Sequence, residues 1–294
     1  MLISSPRRTF LKSLGLGSFS LAVTQTTLAD SVGKNVTATE SRSVEEKRPG
    51  EIINAVKKGA FAFIPVSPMI EWHSYHLPVG TDGLISEAVA RGTSRITGGI
   101  WFRPLSFGLD AWRNEEELKK WGFRKDDKVF GMNFPDVPLA SEYCETAEMI
   151  AALKNRLKIL DRMNIKHAFI INHHGGKGQF KTIENVAREC TTGKLTVHAI
   201  RTYQFNDLTN EDGFYGVGGH AGFSETLWLM AFRPELVDLS TLMDGELSVR
   251  EMGILHDKPD IDAKWNPKNV SLSVARKLKD HVLRNFSEYV LALK

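Results

Sequence analysis

The sequence predicts an α/β fold: a single domain of three layers (α/β/α), in which helices cover both faces of a mostly parallel sheet. Two observations predict it. Short apolar runs rich in β-formers recur along the chain, and between them apolar residues recur every three or four positions, as on one face of a helix. Strands that alternate with helices form parallel βαβ units, and such a sheet is buried on both faces.

The elements follow from these two patterns. The predicted strands are 60–66, 99–107, 167–173 and 195–203. The predicted helices are 84–96, a segment with apolar residues from 150 to 163, a segment from 180 to 190, one that starts near 220, and the C-terminal segment from 273. In such folds, sites form beyond the carboxyl ends of the strands. Polar clusters that directly follow a strand are therefore the candidates for function.

Residues 1–29 are typical of a twin-arginine signal peptide. Arg7 and Arg8 precede Phe-Leu-Lys, a weakly apolar stretch and small residues for cleavage at 27–29. An ordinary basic tail or a membrane anchor is the alternative, but the apolar stretch is too short for a bilayer span of about 20 residues. The sequence therefore predicts export by the twin-arginine machinery, to the periplasm or otherwise out of the cytoplasm, and no membrane span in the mature protein.

Residues 30–50 are polar and aperiodic, which predicts a flexible tether, so we expect the folded domain at 51–294. The signal holds Arg7, Arg8 and Lys12 and no acidic residue. Its removal reduces the 38 basic residues to 35, equal to the 35 acidic residues. A neutral mature protein has no general electrostatic reason to bind nucleic acid, and we exclude nucleic acid as a partner.

The first polar cluster, "IEWHSYHLPVGTD", follows the strand at 60–66. Glu71 and His73 lie two positions apart, so both point the same way from an extended segment and can reach one ion. His76 and Asp82 add a second imidazole and a second carboxylate, which are ligands that divalent metals use. The alternative is a polar loop in which Asp82 is the N-cap of the next helix.

Two further clusters lie in comparable places. "INHHGGKGQ" follows the strand at 167–173, and its paired glycines let the backbone pass close to a bound group beside His173 and His174, although Gly-Gly more often marks a plain turn. "GGHAGFSETLWLM" places His220 and Glu225 near the start of a predicted helix. Glu225 is there either a helix N-terminal charge or a metal ligand.

The three clusters together, in this order and at this spacing, resemble the creatininase family over residues 51–294. The usual family forms are similar to PvGsxEqHGpHLPlgtD, NgHGGN and HAGxxETSxxLaxxPelVd. The resemblance implies a creatininase-like fold in which Glu71, His73, Asp82 and His174 bind metal, with Asp82 at the position that bridges two ions. It implies that His220 transfers protons.

Other positions match less directly. His76 matches a histidine that lies close to the site, where we expect it to orient a ligand. Glu225 matches the glutamate of the ETS motif. Creatininase carries a metal-binding glutamate where this chain has Gly176, so Glu225 is our candidate for the missing carboxylate. Creatininase also has a tryptophan where this chain has Gly216, which argues against creatinine as the substrate.

The substrate side departs from the family. Trp72 and Tyr75 replace the usual Gln and Pro, and Lys177 replaces Asn. We expect these three residues and His173 to contact the substrate or to flank the site. The stretch 108–140 is long for a connection, where about 2–6 residues is typical, and is either a binding loop or a segment whose aromatic residues pack it onto the body. Those aromatic residues are Trp112, Trp121, Phe123, Phe130 and Phe134.

These patterns predict an exported metal-dependent amidohydrolase that uses metal-activated water to cleave a non-peptide C–N bond in a small amide, linear or cyclic. We expect one or two divalent ions per subunit. Zinc suits the imidazole and carboxylate ligands best, and manganese or iron also suit carboxylate-rich sites. The resemblance implies a homo-hexamer. The alternative is an inactive periplasmic protein that binds metal or a ligand, but such a protein has no use for the proton transfer expected of His220.

The twin arginines give the first testable prediction. Replacement of Arg7 and Arg8 together by lysine should leave the protein in the cytoplasm, because the export machinery recognises the arginine pair. Immunoblots of periplasmic and cytoplasmic fractions measure this. Normal periplasmic levels of the double variant would contradict a twin-arginine route.

Overall fold

A computed structural model of the chain describes residues 42–215, 219–242, 249–256 and 266–294. These residues all belong to one compact unit, Glu40–Lys294. The predicted signal peptide and Gly216 lie outside the described residues. Among the helices of the described part, none is both long enough and apolar enough to cross a membrane.

Four parallel strands form the central sheet. They are β1 (Ala62–Pro65), β2 (Ile100–Trp101), β3 (His167–Asn172) and β4 (Thr196–Arg201). Their order across the sheet is β2-β1-β3-β4. Because every pairing in this sheet is parallel, the carboxyl ends of the strands lie at one edge. A separate antiparallel pair consists of β5 (Gly219–His220) and β6 (Leu255–His256).

The α-helices of the described residues account for most of the remaining chain. They are α1 (Pro49–Lys57), α2 (Thr81–Thr97), α3 (Glu115–Lys120), α4 (Thr146–Arg162), α5 (Gln179–Cys190), α6 (Phe223–Phe232), α7 (Val249–Met252) and α8 (Leu272–Leu291).

Alternate strand residues pack into two different cores. Phe63 and Phe169 face the core that contains apolar residues of α2, α6 and α8, where the ring of Phe286 meets that of Phe63 edge-on at 6.0 Å. Ile64 and Ile170 face the other core, with apolar residues of α4 and α5. The two-residue period of a strand thus buries both faces of the sheet. The predicted three-layer α/β fold is confirmed.

Two predicted elements differ from the structure. Of the strand expected at 99–107, only 100–101 pairs continuously, and one isolated bridge joins Leu105 to Val66. Pro104 has no N–H group to donate to a ladder, which accounts for the break. The helix expected from near 220 begins instead at Phe223, because His220 lies in β5 and Ala221 has a positive φ of 51°.

The boundary predicted for the tether is also wrong. Residues 42–50 are folded onto the domain, and α1 begins at Pro49. Ser43 is fully buried. Its backbone N–H and hydroxyl both bond the carboxylate of Glu46, and Glu46 pairs with Arg103 at 2.9 Å. One short turn has no hydrophobic period, so the sequence pattern could not distinguish this segment from a flexible one.

Candidate metal centre

The loops that leave the carboxyl ends of β1 and β3 carry most of the predicted site residues. The backbone N–H of Glu71 bonds the carbonyl of Val79 at 2.9 Å, which closes the loop after β1 and brings the start of α2 beneath it. Gly80 is the N-cap of α2, and Asp82 lies within its first turn. The alternative role for Asp82 as N-cap is therefore wrong. Its side chain turns inward and is 1% exposed.

The carboxylate of Asp82 joins two groups of candidate ligands. Its Oδ2 lies 2.9 Å from His174 Nδ1, which is also 3.3 Å from Glu71 Oε2. Its Oδ1 lies 3.7 Å from His73 Nε2. The same His73 atom lies 3.8 Å from Glu225 Oε2 and 3.7 Å from Glu71 Oε2. The structure thus brings these five predicted residues into two overlapping sets that share Asp82.

Both imidazoles are oriented by backbone carbonyls. His73 Nδ1 bonds the carbonyl of Glu71 at 3.2 Å, so its Nε2 faces the carboxylates. His174 Nε2 bonds the carbonyl of Leu109 at 3.2 Å, so its Nδ1 faces them. A hydrogen bond from one ring nitrogen to a carbonyl fixes the other nitrogen as the metal ligand, which is the usual arrangement at metal sites.

Several polar atoms at the centre have no hydrogen-bond partner among the described residues. They are Glu71 Oε2, His73 Nε2 and Asp82 Oδ1, all buried. Buried polar atoms are normally paired, because an unpaired one retains its desolvation cost. Here acceptor atoms face one another across a few ångströms, an arrangement that a divalent cation satisfies. The donor set of carboxylate oxygens and imidazole nitrogens fits zinc or manganese.

The pKa values show how strongly these charges interact. Burial opposes the charged form of His73, but Asp82, Glu225 and Glu71 outweigh it and raise the pKa of His73 to about 9. Burial likewise opposes the charged form of His174, and the Glu71 carboxylate raises its pKa well above the ordinary value. Glu225 is the opposite case, because burial and the negative charge of Asp82 raise its pKa to about 8. The buried carboxylates thus favour positive charge at the positions where a metal ion fits.

His220 lies directly beside these residues. Its ring is 4.3 Å from that of His73, centroid to centroid, and its Nε2 bonds the carbonyl of Trp72. It also comes within ligand reach of Glu71 and His73. Burial and the neighbouring His73 lower the pKa of His220 to about 4. Two roles fit this position, proton transfer and metal binding.

His76 contacts α6 rather than a candidate ligand imidazole or carboxylate. Its Nε2 bonds the hydroxyl of Thr226 at 2.8 Å, and that hydroxyl donates to the carbonyl of Gly222. Thr226 follows Glu225, whose carboxylate accepts the backbone N–H of Ala221. His76 therefore fixes the first turn of the helix that supplies Glu225.

Tyr143 is a site residue that sequence reasoning missed. Its hydroxyl donates to Glu71 Oε1 and accepts the backbone N–H of Met132 at 2.9 Å. Burial, and then the negative charge of Glu71, raise the pKa of Tyr143, so the hydroxyl keeps its proton and remains a donor. Nothing in the polar segment around 143 marks this residue, because its partner is 72 positions away.

A cavity of about 620 Å³ opens above the centre. Glu71, His174, His220 and Glu225 lie on its polar side. His173 and Lys177 also line it, and Lys177 Nζ pairs with Glu117 Oε1 at 2.7 Å. Its apolar lining consists largely of Trp121, Met132, Phe214, Phe223, Trp228 and Leu255.

Neither Trp72 nor Tyr75 lines this cavity, and of the two roles expected for Trp72 its position is that of a residue that flanks the site. Trp72 is buried in an apolar cluster with Leu118, Trp121, Phe123, Val129, Met132 and Phe134. Tyr75 packs edge-on against Trp72 at 5.0 Å and is 58% exposed. Most of the aromatic residues of 108–140 thus pack the stretch onto the body, and only Trp121 among them also reaches the cavity.

Gly176 and Gly175 give a matched pair of variants. A Cβ atom at Gly176 would overlap His174 Nε2 and the carbonyl oxygen of Leu109, whereas nothing lies within 4 Å of one at Gly175. Gly176→Ala should lower the free energy of unfolding by about 1–3 kcal/mol more than Gly175→Ala, as expected for overpacking. Urea denaturation in the presence of a chelator measures this. Equal denaturation midpoints for the two variants would contradict the close packing of His174.

Comparisons with known proteins found one family model and several solved structures that resemble this chain. A family model described as Creatininase, creatinine amidohydrolase, matches residues 142–277. A comparison with curated proteins found no match. The crystal structure of creatinine amidohydrolase (creatininase) has a TM-score of 0.62 and 18% identity, covering 86% of this chain and 97% of that one.

Two related structures hold metals in different forms. A glutamate-to-glutamine variant of creatininase of Zn–Zn type has a TM-score of 0.62 and 18% identity, covering 85% of this chain and 98% of that one. A manganese form of creatininase has a TM-score of 0.61 and 17% identity, with the same two coverages. Residues 142–277 thus match the creatininase family, and the chain has the creatininase fold.

Proposed function

We propose that this protein is a metal-dependent amidohydrolase that acts, after export, on a non-peptide C–N bond of a small linear or cyclic amide. The observation that carries the proposal is the position of Asp82. Its two carboxylate oxygens face two different imidazoles, His174 at 2.9 Å and His73 at 3.7 Å. A carboxylate shared in this way is the means by which hydrolases hold two ions a short distance apart. The family match and the fold support the reaction class.

Two sets of residues would hold the ions. Glu71, Asp82 and His174 form one set, and His73, Asp82 and Glu225 form the other. Glu225 takes the role of the carboxylate that Gly176 does not supply, since no side chain fits at Gly176. Zinc is the ion we propose, with manganese or iron as alternatives. When bound, a divalent ion polarises an amide carbonyl and lowers the pKa of a water molecule.

His220 is the residue we propose to move the proton. Its Nε2 bonds the carbonyl of Trp72, so Nε2 carries the hydrogen and Nδ1 has the lone pair. His220 lines the cavity, where it can accept a proton from the water molecule that attacks the amide and donate it to the leaving nitrogen. The carbonyl of Trp72 keeps the hydrogen on Nε2, so Nδ1 is the nitrogen that gains and releases the proton.

The cavity favours a substrate larger and more apolar than creatinine. Its wall includes Trp121, Phe214 and Trp228, and its volume of about 620 Å³ lies within the range of pockets for drug-sized ligands. Gly216, where creatininase has a tryptophan, lies outside the described residues. We also propose a homo-hexamer and a periplasmic location, on the resemblance and the signal peptide alone.

The metal assignment predicts a difference between two variants. Asp82→Ala should weaken binding of zinc more than ten-fold, because removal of a residue that merely orients a ligand already costs about 10–100-fold. His173→Ala should leave zinc affinity near that of the natural protein, because His173 belongs to neither set. Competition with a chromogenic chelator measures both. Equal affinities would show that Asp82 does not hold the ions.

The role of His220 is tested with activity and metal content together. The zinc-loaded protein should hydrolyse at least one amide in a panel from creatinine to aryl and alkyl amides and lactams. His220→Ala should lower kcat on that amide by about 100-fold or more while the metal content stays near normal. Loss of metal in step with activity would make His220 a ligand. A metal-loaded natural protein that hydrolyses no amide would favour the binding-protein alternative.

A further inference from the structure

The cavity is lined by one histidine that the proposed chemistry does not use, His173. It directly follows β3 and is 6% exposed. Its backbone N–H donates to the hydroxyl of Ser67 at 3.1 Å, and its ring lies 5.3 Å from that of Trp228, tilted by 58°. The ring is therefore held on the apolar side of the cavity, next to the proposed ligand His174 but turned away from it.

The hydroxyl of Thr202 determines which nitrogen of His173 carries the hydrogen. Thr202 follows β4 and is fully buried, and its hydroxyl bonds His173 Nδ1. Among the described residues this is the only hydrogen bond of the Thr202 side chain. If Nδ1 carried the hydrogen, the hydroxyl hydrogen would be buried without an acceptor, which proteins avoid. The hydroxyl therefore donates to Nδ1, and the hydrogen of the neutral ring lies on Nε2.

We propose that His173 is a substrate-binding residue, whose Nε2–H donates a hydrogen bond to an acceptor atom of an amide packed against Trp228. The identity of the substrate rests on the proposed function, but the assignment of His173 as a hydrogen-bond donor does not. With Nδ1 bonded to Thr202 and Nε2 protonated, His173 has no lone pair for a metal. The substrate class is an uncharged amide or lactam that joins an acceptor atom to an apolar or aromatic body.

The tautomer is measured first. Nitrogen-15 NMR of histidine-labelled full-length protein, at pH 8 with zinc chloride present, distinguishes Nε2–H from Nδ1–H, and the His173→Gln variant identifies the resonance. At pH 8 a histidine of ordinary pKa is neutral. We expect the Nε2–H tautomer in the natural protein and its retention in Thr202→Ser. An Nδ1–H tautomer in the natural protein would overturn the proposal.

Binding is measured second, with benzamide as the probe. Loss of one hydrogen bond should raise the Kd of benzamide about ten-fold in His173→Phe. Thr202→Ser and His173→Gln, which keep a donor, should bind close to normally. Thiobenzamide, a weaker acceptor of the same shape, should bind the natural protein less well and discriminate less between the variants. Equal Kd values for benzamide across all variants, or no measurable binding to the natural protein, would overturn the proposal.

The two proposals fail in different ways. Neither the tautomer nor the benzamide ranking depends on catalysis, and the appearance of benzoate in the same samples reports any hydrolysis. If no amide of the panel is hydrolysed but the variants keep the expected order of benzamide Kd values, the proposed function is contradicted and the role of His173 as a donor is not. Hydrolysis with equal benzamide affinity in the natural protein and His173→Phe would contradict the role of His173 as a donor but not the proposed function.

Discussion

The constraint on which this site depends is the burial of Asp82 between two imidazoles. A carboxylate that is 1% exposed is costly unless positive charge or hydrogen-bond donors surround it. The fold meets this constraint by placing the first turn of α2 under the loop after β1 and against the end of β3. Because β1 and β3 are adjacent and parallel, their carboxyl ends deliver Glu71, His73 and His174 to the same carboxylate. The parallel pairing of β1 and β3 is thus part of the three-layer architecture and also brings the candidate ligands together.

The packing around His174 also explains why Glu225, the candidate carboxylate for the second ion, comes from α6. The ring of His174 occupies the space beside Gly176 and bonds the carbonyl of Leu109 there, so no side chain fits at position 176. Glu225 Oε2 lies 3.8 Å from His73 Nε2, and the positive φ of Ala221 turns the chain from β5 into α6, the helix that carries Glu225.

The layers, and most of the residues that the structure brings together around Asp82, could be predicted from the sequence for physical reasons that are local. Strands such as 167–172 are continuous apolar runs, and α4 shows its buried residues at helical spacing, so each can be recognised from its own segment. Glu71, His73 and Asp82 were recognisable because they form one motif. Tyr143 was not, because its role depends on a hydrogen bond to a residue 72 positions away. The folded segment 42–50 was missed because short turns leave no periodic pattern.

Trp72 lies beside the site and contacts it through its backbone rather than through its side chain. Its side chain packs with Leu118, Trp121 and Phe134, which belong to the stretch 108–140, while its carbonyl accepts the hydrogen bond of His220. A Cβ at Gly253 would overlap the indole, so the chain also packs closely over Trp72 from the segment between α7 and β6. The aromatic packing of the 108–140 stretch therefore also holds the backbone carbonyl to which His220 bonds.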